Sequence, residues 1–150
     1  MRRIDRLRAL SMRDFVLLGQ LVGLSCTIAV ALRLIGWRRV AALIIARSRT
    51  KWMRHFPLPQ LTYTVEQLNP LVAMAGCLFP RNRCLISSMV RLWLLRARGE
   101  SAEVVLGVRK RAGVFEAHAW TLSEGVPVGE HPDALADFET MMTSTTSEQL

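Results

Sequence analysis

Apolar positions divide the chain into a helical part and a strand part, with the change of period falling at Gly99. The first long apolar run, Phe15 to Leu32, has 18 residues, and Gly19, Gly23, Thr27 and Ala31 recur in it at every fourth position. Its length reaches the lower edge of a transmembrane span, and such a small-residue stripe lets a second helix approach closely. A buried bundle helix accounts for the same pattern, since Gln20 and Ser25 lower the hydrophobicity of the run. A secretory signal is disfavoured, because Asp14 abuts the run and Arg33, Arg38 and Arg39 closely follow Ala29-Val30-Ala31, where cleavage would fall.

Gly36 interrupts the pattern, which then predicts a second helix over Trp37 to Arg49. Pro57 and Pro59 make Thr50 to Thr64 a basic, irregular connector, in which His55 reads as a solvated loop residue. A third helix follows over Val65 to Phe79, with Pro70 near its first turn. The fourth, within Asn82 to Gly99 (NRCLISSMVRLWLLRARG), cannot start much before Pro80, has Asn82 as N-cap and ends at Gly99. Leu85, Ile86, Met89, Val90, Leu92, Trp93, Leu94 and Leu95 cover most of its circumference, so it belongs at the centre of the core; Ser87, Arg91 and Arg98 mark a narrow polar side.

Beyond Gly99 the period shortens to two. Val104 to Val108 predicts a strand, Arg109 to Gly113 a basic turn, Val114 to Leu122 a second strand and Val126 to Val128 the start of a third. Together they predict an antiparallel sheet of three strands, with Glu116, His118, Trp120 and Leu122 on one face of the second. A short acidic helix is predicted over Pro132 to Met142, and the polar tail TSTTSEQL is expected to be disordered. The fold class is therefore α+β: N-terminal helices, then a central helix packed on a small antiparallel sheet. The organisation divides as 1–64 (basic and apolar helices with connector), 65–142 (core) and 143–150 (tail).

Composition fits this frame, with 150 residues, 51% apolar and 21% charged, enough for one domain with a real core. The net charge of +8 is unevenly placed: residues 1–56 hold twelve of the twenty Lys/Arg and two of the twelve Asp/Glu. That basic third suits an acidic partner surface, an anionic lipid surface or simply a solvated arginine face. Nucleic acid is disfavoured, since aromatics are 7% and no basic-aromatic module is present. Cys26, Cys77 and Cys84 are odd in number and lack metal-ligand spacing, which fits free thiols in a reducing, cytoplasmic setting, although a Cys77–Cys84 bridge stays open. Cys77, Cys84, His118 and His131 include no close ligand pair, so no metal is expected, nor any other cofactor.

The chemistry centres on Cys84. In the first turn of its helix the thiol lies near unpaired backbone N–H groups and the positive end of the helix dipole, both of which favour the thiolate; from spacing alone, a small buried hydrophobe that happens to begin a helix is the simpler explanation, since free cysteine is among the most buried residue types. If Ser123-Glu124-Gly125 is a three-residue hairpin loop, His118 pairs with Glu130; a two-residue loop pairs it with His131. Cysteine on a helix tip, histidine on the next strand and a carboxylate on the one after is the order of a thiol acyl-transfer site, with Cys84 as nucleophile, His118 as base and Glu130 orienting the imidazole.

Arg83-Cys84-Leu85, the helix end LWLLRARG, the strand VVLGVRK and His118-Ala119-Trp120 resemble the transglutaminase-like cysteine peptidase of lasso-peptide biosynthesis, over about residues 68–142. The resemblance implies a transglutaminase/papain-like core and a hydrolase that removes the leader from a ribosomally made precursor. Cys84 and His118 carry over as nucleophile and base; where that family usually has an aspartate about a dozen residues after the histidine, this chain has Glu130, with Asp133 as the fallback. It further implies a precursor peptide, a separate leader-recognition protein and an ATP-dependent cyclase as partners. The basic helices would dock one of these or a membrane surface. The contrasting reading is a non-catalytic helical adaptor or membrane-associated protein with an inert Cys84.

Overall fold

The computed structural model describes residues 11–48, 50–57 and 62–145. Its first helix, α1 (Met12–Ile35), opens on a capping box: the Ser11 hydroxyl accepts from the Asp14 N–H at 3.2 Å, and Asp14 Oδ2 accepts from the Ser11 N–H at 2.7 Å. The Tyr63 hydroxyl donates to Asp14 Oδ1 at 2.7 Å and holds this end of the helix against the chain entering the next long helix. Asp14, which abuts the apolar run, is thus a terminus device. Leu17, Leu21, Leu24 and Ile28 form the buried stripe of α1, while Phe15, Val16, Val30 and Leu34 stay exposed. Among the described residues no helix packs on the first half of the small-residue stripe, since a Cβ on Gly19 or Gly23 would meet nothing within 4 Å. By length and composition α1 is apolar enough to cross a membrane, and one stripe of it is buried in the core.

After Gly36, whose φ of +78° makes the turn, α2 runs Trp37–Arg47. The connector is less irregular than expected: α3 (Lys51–His55) forms one short turn, because proline bars a helix from its own position onward and leaves Thr50 to His55 free to coil. His55 ends that helix. α4 (Val65–Gly76) starts on a second capping box, Thr64 with Gln67, and stops short of Phe79. α5 (Arg83–Ala97) packs against α1, α2, α4 and the sheet, and Met89, Val90 and Leu92 are fully enclosed. It is the central helix that its all-round apolar pattern requires.

The sheet has four strands: β1 (Ala102–Arg111), β2 (Val114–Ser123), β3 (Val126–Val128) and β4 (Glu139–Thr143), antiparallel in the order β3-β2-β1-β4. The β1–β2 turn is only Ala112-Gly113, both at positive φ, so both strands run longer than their β-branched runs suggest. The acidic helix expected over Pro132 to Met142 is corrected. It closes after one turn, α6 (Pro132–Leu135), and Glu139 to Thr143 pairs with the outer edge of β1. Local spacing of Leu135 and Phe138 reads as helix, but the open edge of β1 offers a ladder that only the folded sheet presents. Of the tail expected to be disordered, 146–150 lie outside the described residues.

One sheet face, with Ala102 and Val104, joins the main core. The other carries a small second cluster, Val105, Trp120 and Leu135, flanked by Leu122 and Phe138. Gly107 sits under this cluster because only hydrogen fits: a Cβ would come within 2.6 Å of the Trp120 ring and 3.0 Å of the Glu139 carbonyl.

Candidate active site

The hairpin between β2 and β3 sets the geometry, and it departs from the expected register. The loop is two residues, Glu124 and Gly125, both at positive φ, and the ladder pairs Ser123 with Val126, Leu122 with Pro127 and Thr121 with Val128. Continued, that register would set His118 opposite His131. The ladder stops at Thr121 instead: the chain turns at Gly129, at φ +75°, and the turn brings Glu130 to His118, with Nε2 and Oε1 3.4 Å apart. Glu130 and His118 therefore meet, but through a break in the strand and not through direct pairing. His131 faces elsewhere, its Nδ1 3.2 Å from Asp133 Oδ2 in an exposed pair, so Asp133 does not reach His118.

The same break frees the edge where the cysteine docks. In a two-residue hairpin the closing residues exchange backbone hydrogen bonds, and the alternation points the N–H and C=O of Ser123, Thr121 and Ala119 toward the β3 side. With no strand opposite Ala119, its N–H donates to Cys84 and its carbonyl accepts from the Ser88 hydroxyl at 3.0 Å. Thr121 returns the contact, its hydroxyl donating to the Ser88 carbonyl at 3.0 Å. Ser88 and Thr121 are fully buried. This reciprocal clasp locks α5 onto β2 four residues past Cys84 and next to His118.

Cys84 lies at the second position of α5, half-buried. Asn82 occupies the N-cap position but its side chain makes no capping bond. A hydrogen bond from His118 holds the Cys84 thiol below its usual pKa, and the N–H groups of Ala119 and Leu85 act in the same direction against the opposing effect of burial. The Cys84 bond, with Glu130 behind it, pushes His118 up to about 9. His118 in turn holds Glu130 low. These shifts all act toward thiolate on Cys84 and imidazolium on His118, with the Glu130 carboxylate behind the ring. With Nε2 engaged by Glu130, Nδ1 is the nitrogen left for the thiol. Trp120 stacks near the imidazole, with centroids 6.2 Å apart, and Phe138 lies 5.5 Å away, so aromatic rings wall one side of it.

Two cavities meet at Cys84. One, of about 460 Å³, is the more polar of the two and includes Arg81, Arg83, Ser87, Arg91, His118 and Glu130 in its lining. The other, of about 350 Å³, is mainly apolar, with Leu85, Leu106, Val108, Met141 and Met142. Sequence reasoning marked Ser87 and Arg91 only as the polar side of a core helix and did not find Ser88, Thr121 or Gly129. A small hydroxyl or a glycine carries no periodic signal of its own. Cys26 and Cys77 are exposed, and all three cysteines are free thiols.

No curated protein and no solved structure gives a significant match. The family description "Transglutaminase-like superfamily" matches residues 24–143, and the α+β architecture, N-terminal helices and a four-stranded antiparallel sheet, is consistent with it. By that match over most of its length, the chain belongs to the transglutaminase-like superfamily, whose domain is typical of cysteine peptidases.

Proposed function

We propose that the protein is a cysteine peptidase that removes the leader from a ribosomally made lasso-peptide precursor before macrocyclisation. The observation that carries the reading is the Cys84 thiol held by His118, itself backed by Glu130, at the junction of two cavities. An extended peptide can cross that junction with its scissile carbonyl over Cys84. The thiolate adds to the carbonyl carbon, and the oxyanion is met by first-turn N–H groups of α5; that of Cys84 itself has no acceptor among the described residues. The imidazolium of His118 protonates the departing amine, which leaves a thioester on Cys84. His118, now neutral, takes a proton from water, whose oxygen attacks the thioester and releases the leader as its carboxylate. Glu130 keeps the ring oriented and stabilises its charge throughout.

In this reading residues 65–142 carry the site, and the basic helices of residues 1–64 brace it and dock a partner. The precursor is delivered by a separate leader-recognition protein and passed to an ATP-dependent cyclase, in the cytoplasm or at its membrane surface. The test is incubation of the protein with precursor and leader-recognition partner, followed by mass spectrometry of the peptides. Cleavage at one bond that vanishes in Cys84→Ala is expected, with a large loss in Glu130→Ala. Absence of cleavage with the partner present, or cleavage that survives Cys84→Ala, would overturn the reading in favour of an adaptor.

A further inference from the structure

The polar cavity beside Cys84 contains more donors than the protein itself satisfies. Ser87 lines it, is 5% exposed, and its Oγ has no hydrogen-bond partner among the described residues. One helical turn further, Arg91 lines the same cavity at 7% exposure. Its one hydrogen bond among the described residues runs from Nε to Asn69 Oδ1 at 3.2 Å, and no carboxylate there is within ion-pair distance of it. Glu130 is close enough to favour the Arg91 charge, but it is engaged by His118. A largely buried guanidinium with a single hydrogen bond gains from an acceptor that enters the cavity and pairs with its remaining N–H groups.

The surroundings hold the Arg91 side chain in place. Gly129 passes so near that a Cβ on it would lie 2.6 Å from Arg91 Nε and 2.8 Å from Asn69 Oδ1. Arg81 and Arg83 add positive charge to the cavity lining. Cys84, Ser87 and Arg91 share one face of α5, at spacings of three and four. Cys84 and Arg91 are separated by about 10 Å of helix rise, and an arginine on a helix leans back toward the N-terminus, so the guanidinium stands roughly one side-chain length from the thiol.

We infer that this cavity is a carboxylate subsite, in which Arg91 binds an acidic side chain of the substrate adjacent to the bond that Cys84 attacks. A carboxylate supplies two acceptors for the guanidinium N–H groups, and the pairing is charge-assisted. The apolar cavity then takes the side chain on the other side of that bond. The inference rests on the peptidase reading for the identity of the substrate as a peptide, but its test does not depend on turnover.

The experiment compares two thiol reagents that differ only in charge, the α-amides of N-iodoacetyl-glutamate and N-iodoacetyl-glutamine, on the full chain. Alkylation rates are read at each cysteine by peptide mass spectrometry, with exposed Cys26 and Cys77 as internal references. The glutamate reagent is expected to be about tenfold faster at Cys84, the scale of one charge-assisted hydrogen bond in a partly buried site, and to show no preference at Cys26 or Cys77. In Arg91→Gln the Cys84 ratio is expected to fall to about one. The shorter pair, iodoacetate and iodoacetamide, is expected to show a smaller ratio, since its carboxylate stays beside the imidazolium and does not reach Arg91. No preference at Cys84, a preference undiminished in Arg91→Gln, or a short-pair ratio equal to the long-pair ratio would each overturn the subsite. If Arg91→Gln fails to fold, the comparison of long and short pairs decides. Failure of precursor cleavage with a charge preference intact would overturn the peptidase reading alone.

Discussion

Replacing Glu130 with glutamine tests whether the carboxylate holds His118 in its charged form. In the native protein His118 is pushed up to about 9 by Cys84 and Glu130, with Nε2 3.4 Å from Oε1 and about a quarter of each side chain exposed. At that separation and an effective dielectric of about 20, the Coulomb attraction is about 5 kcal/mol. Partial exposure and the hydrogen bond that the amide oxygen can still accept reduce the loss to about 1.5–3 kcal/mol, or about one to two pH units. Glu130→Gln should therefore bring His118 down to about 7 to 8, and the thiol of Cys84 should rise in response. The assay is the NMR titration of the His118 Cε1–H signal, assigned with His118→Gln. The sign follows from the direction of each shift. His118 is raised above its ordinary 6.5, so its stabilising contribution is complete below that value and is lost as pH rises through about 9. Glu130 and Cys84 are lowered, so theirs are present above the unfolded values of 4.5 and 9.0 and are lost as pH falls through the folded ones. A His118 pKa that moves by less than about 0.3 unit in the variant would refute the argument, since it would mean that Glu130 orients the ring without stabilising its charge.

Other perturbations probe the frame around the site. Ser88→Ala leaves the buried Ala119 carbonyl without its 3.0 Å partner, and a loss of about 1–3 kcal/mol in urea unfolding is expected, with slower Cys84 alkylation as the helix tip loosens. Gly107→Ala would place a Cβ 2.6 Å from Trp120 and should cost about 1–3 kcal/mol, read as a lowered Tm and altered tryptophan fluorescence. Ser11→Ala removes one half of the α1 capping box and should cost about 1 kcal/mol in the same unfolding assay, without changing the His118 titration.

The sequence by itself determined the elements whose evidence is local. The all-round apolar pattern of Leu85 to Leu95 can be satisfied only at the centre of a core, and α5 lies there. Pro80 and Gly99 bracket that helix, which is why Cys84 falls in its first turn. Alternation placed His118 with Trp120 and Leu122 on one face of β2, where the rings now pack. What tertiary structure decided are the features with no local signature. The strand β4 exists because β1 has an edge to pair with, and its own residues read as helix. The meeting of His118 with Glu130 depends on where the β2–β3 ladder breaks and how Gly129 turns, not on register. The clasp of Ser88 with Ala119 and Thr121, and the bare donors of Ser87 and Arg91, arise from residues more than 20 positions apart or from a missing partner. A side-chain pattern records which face is apolar, but which polar groups are left unpaired is settled only when the backbone of the whole chain is in place.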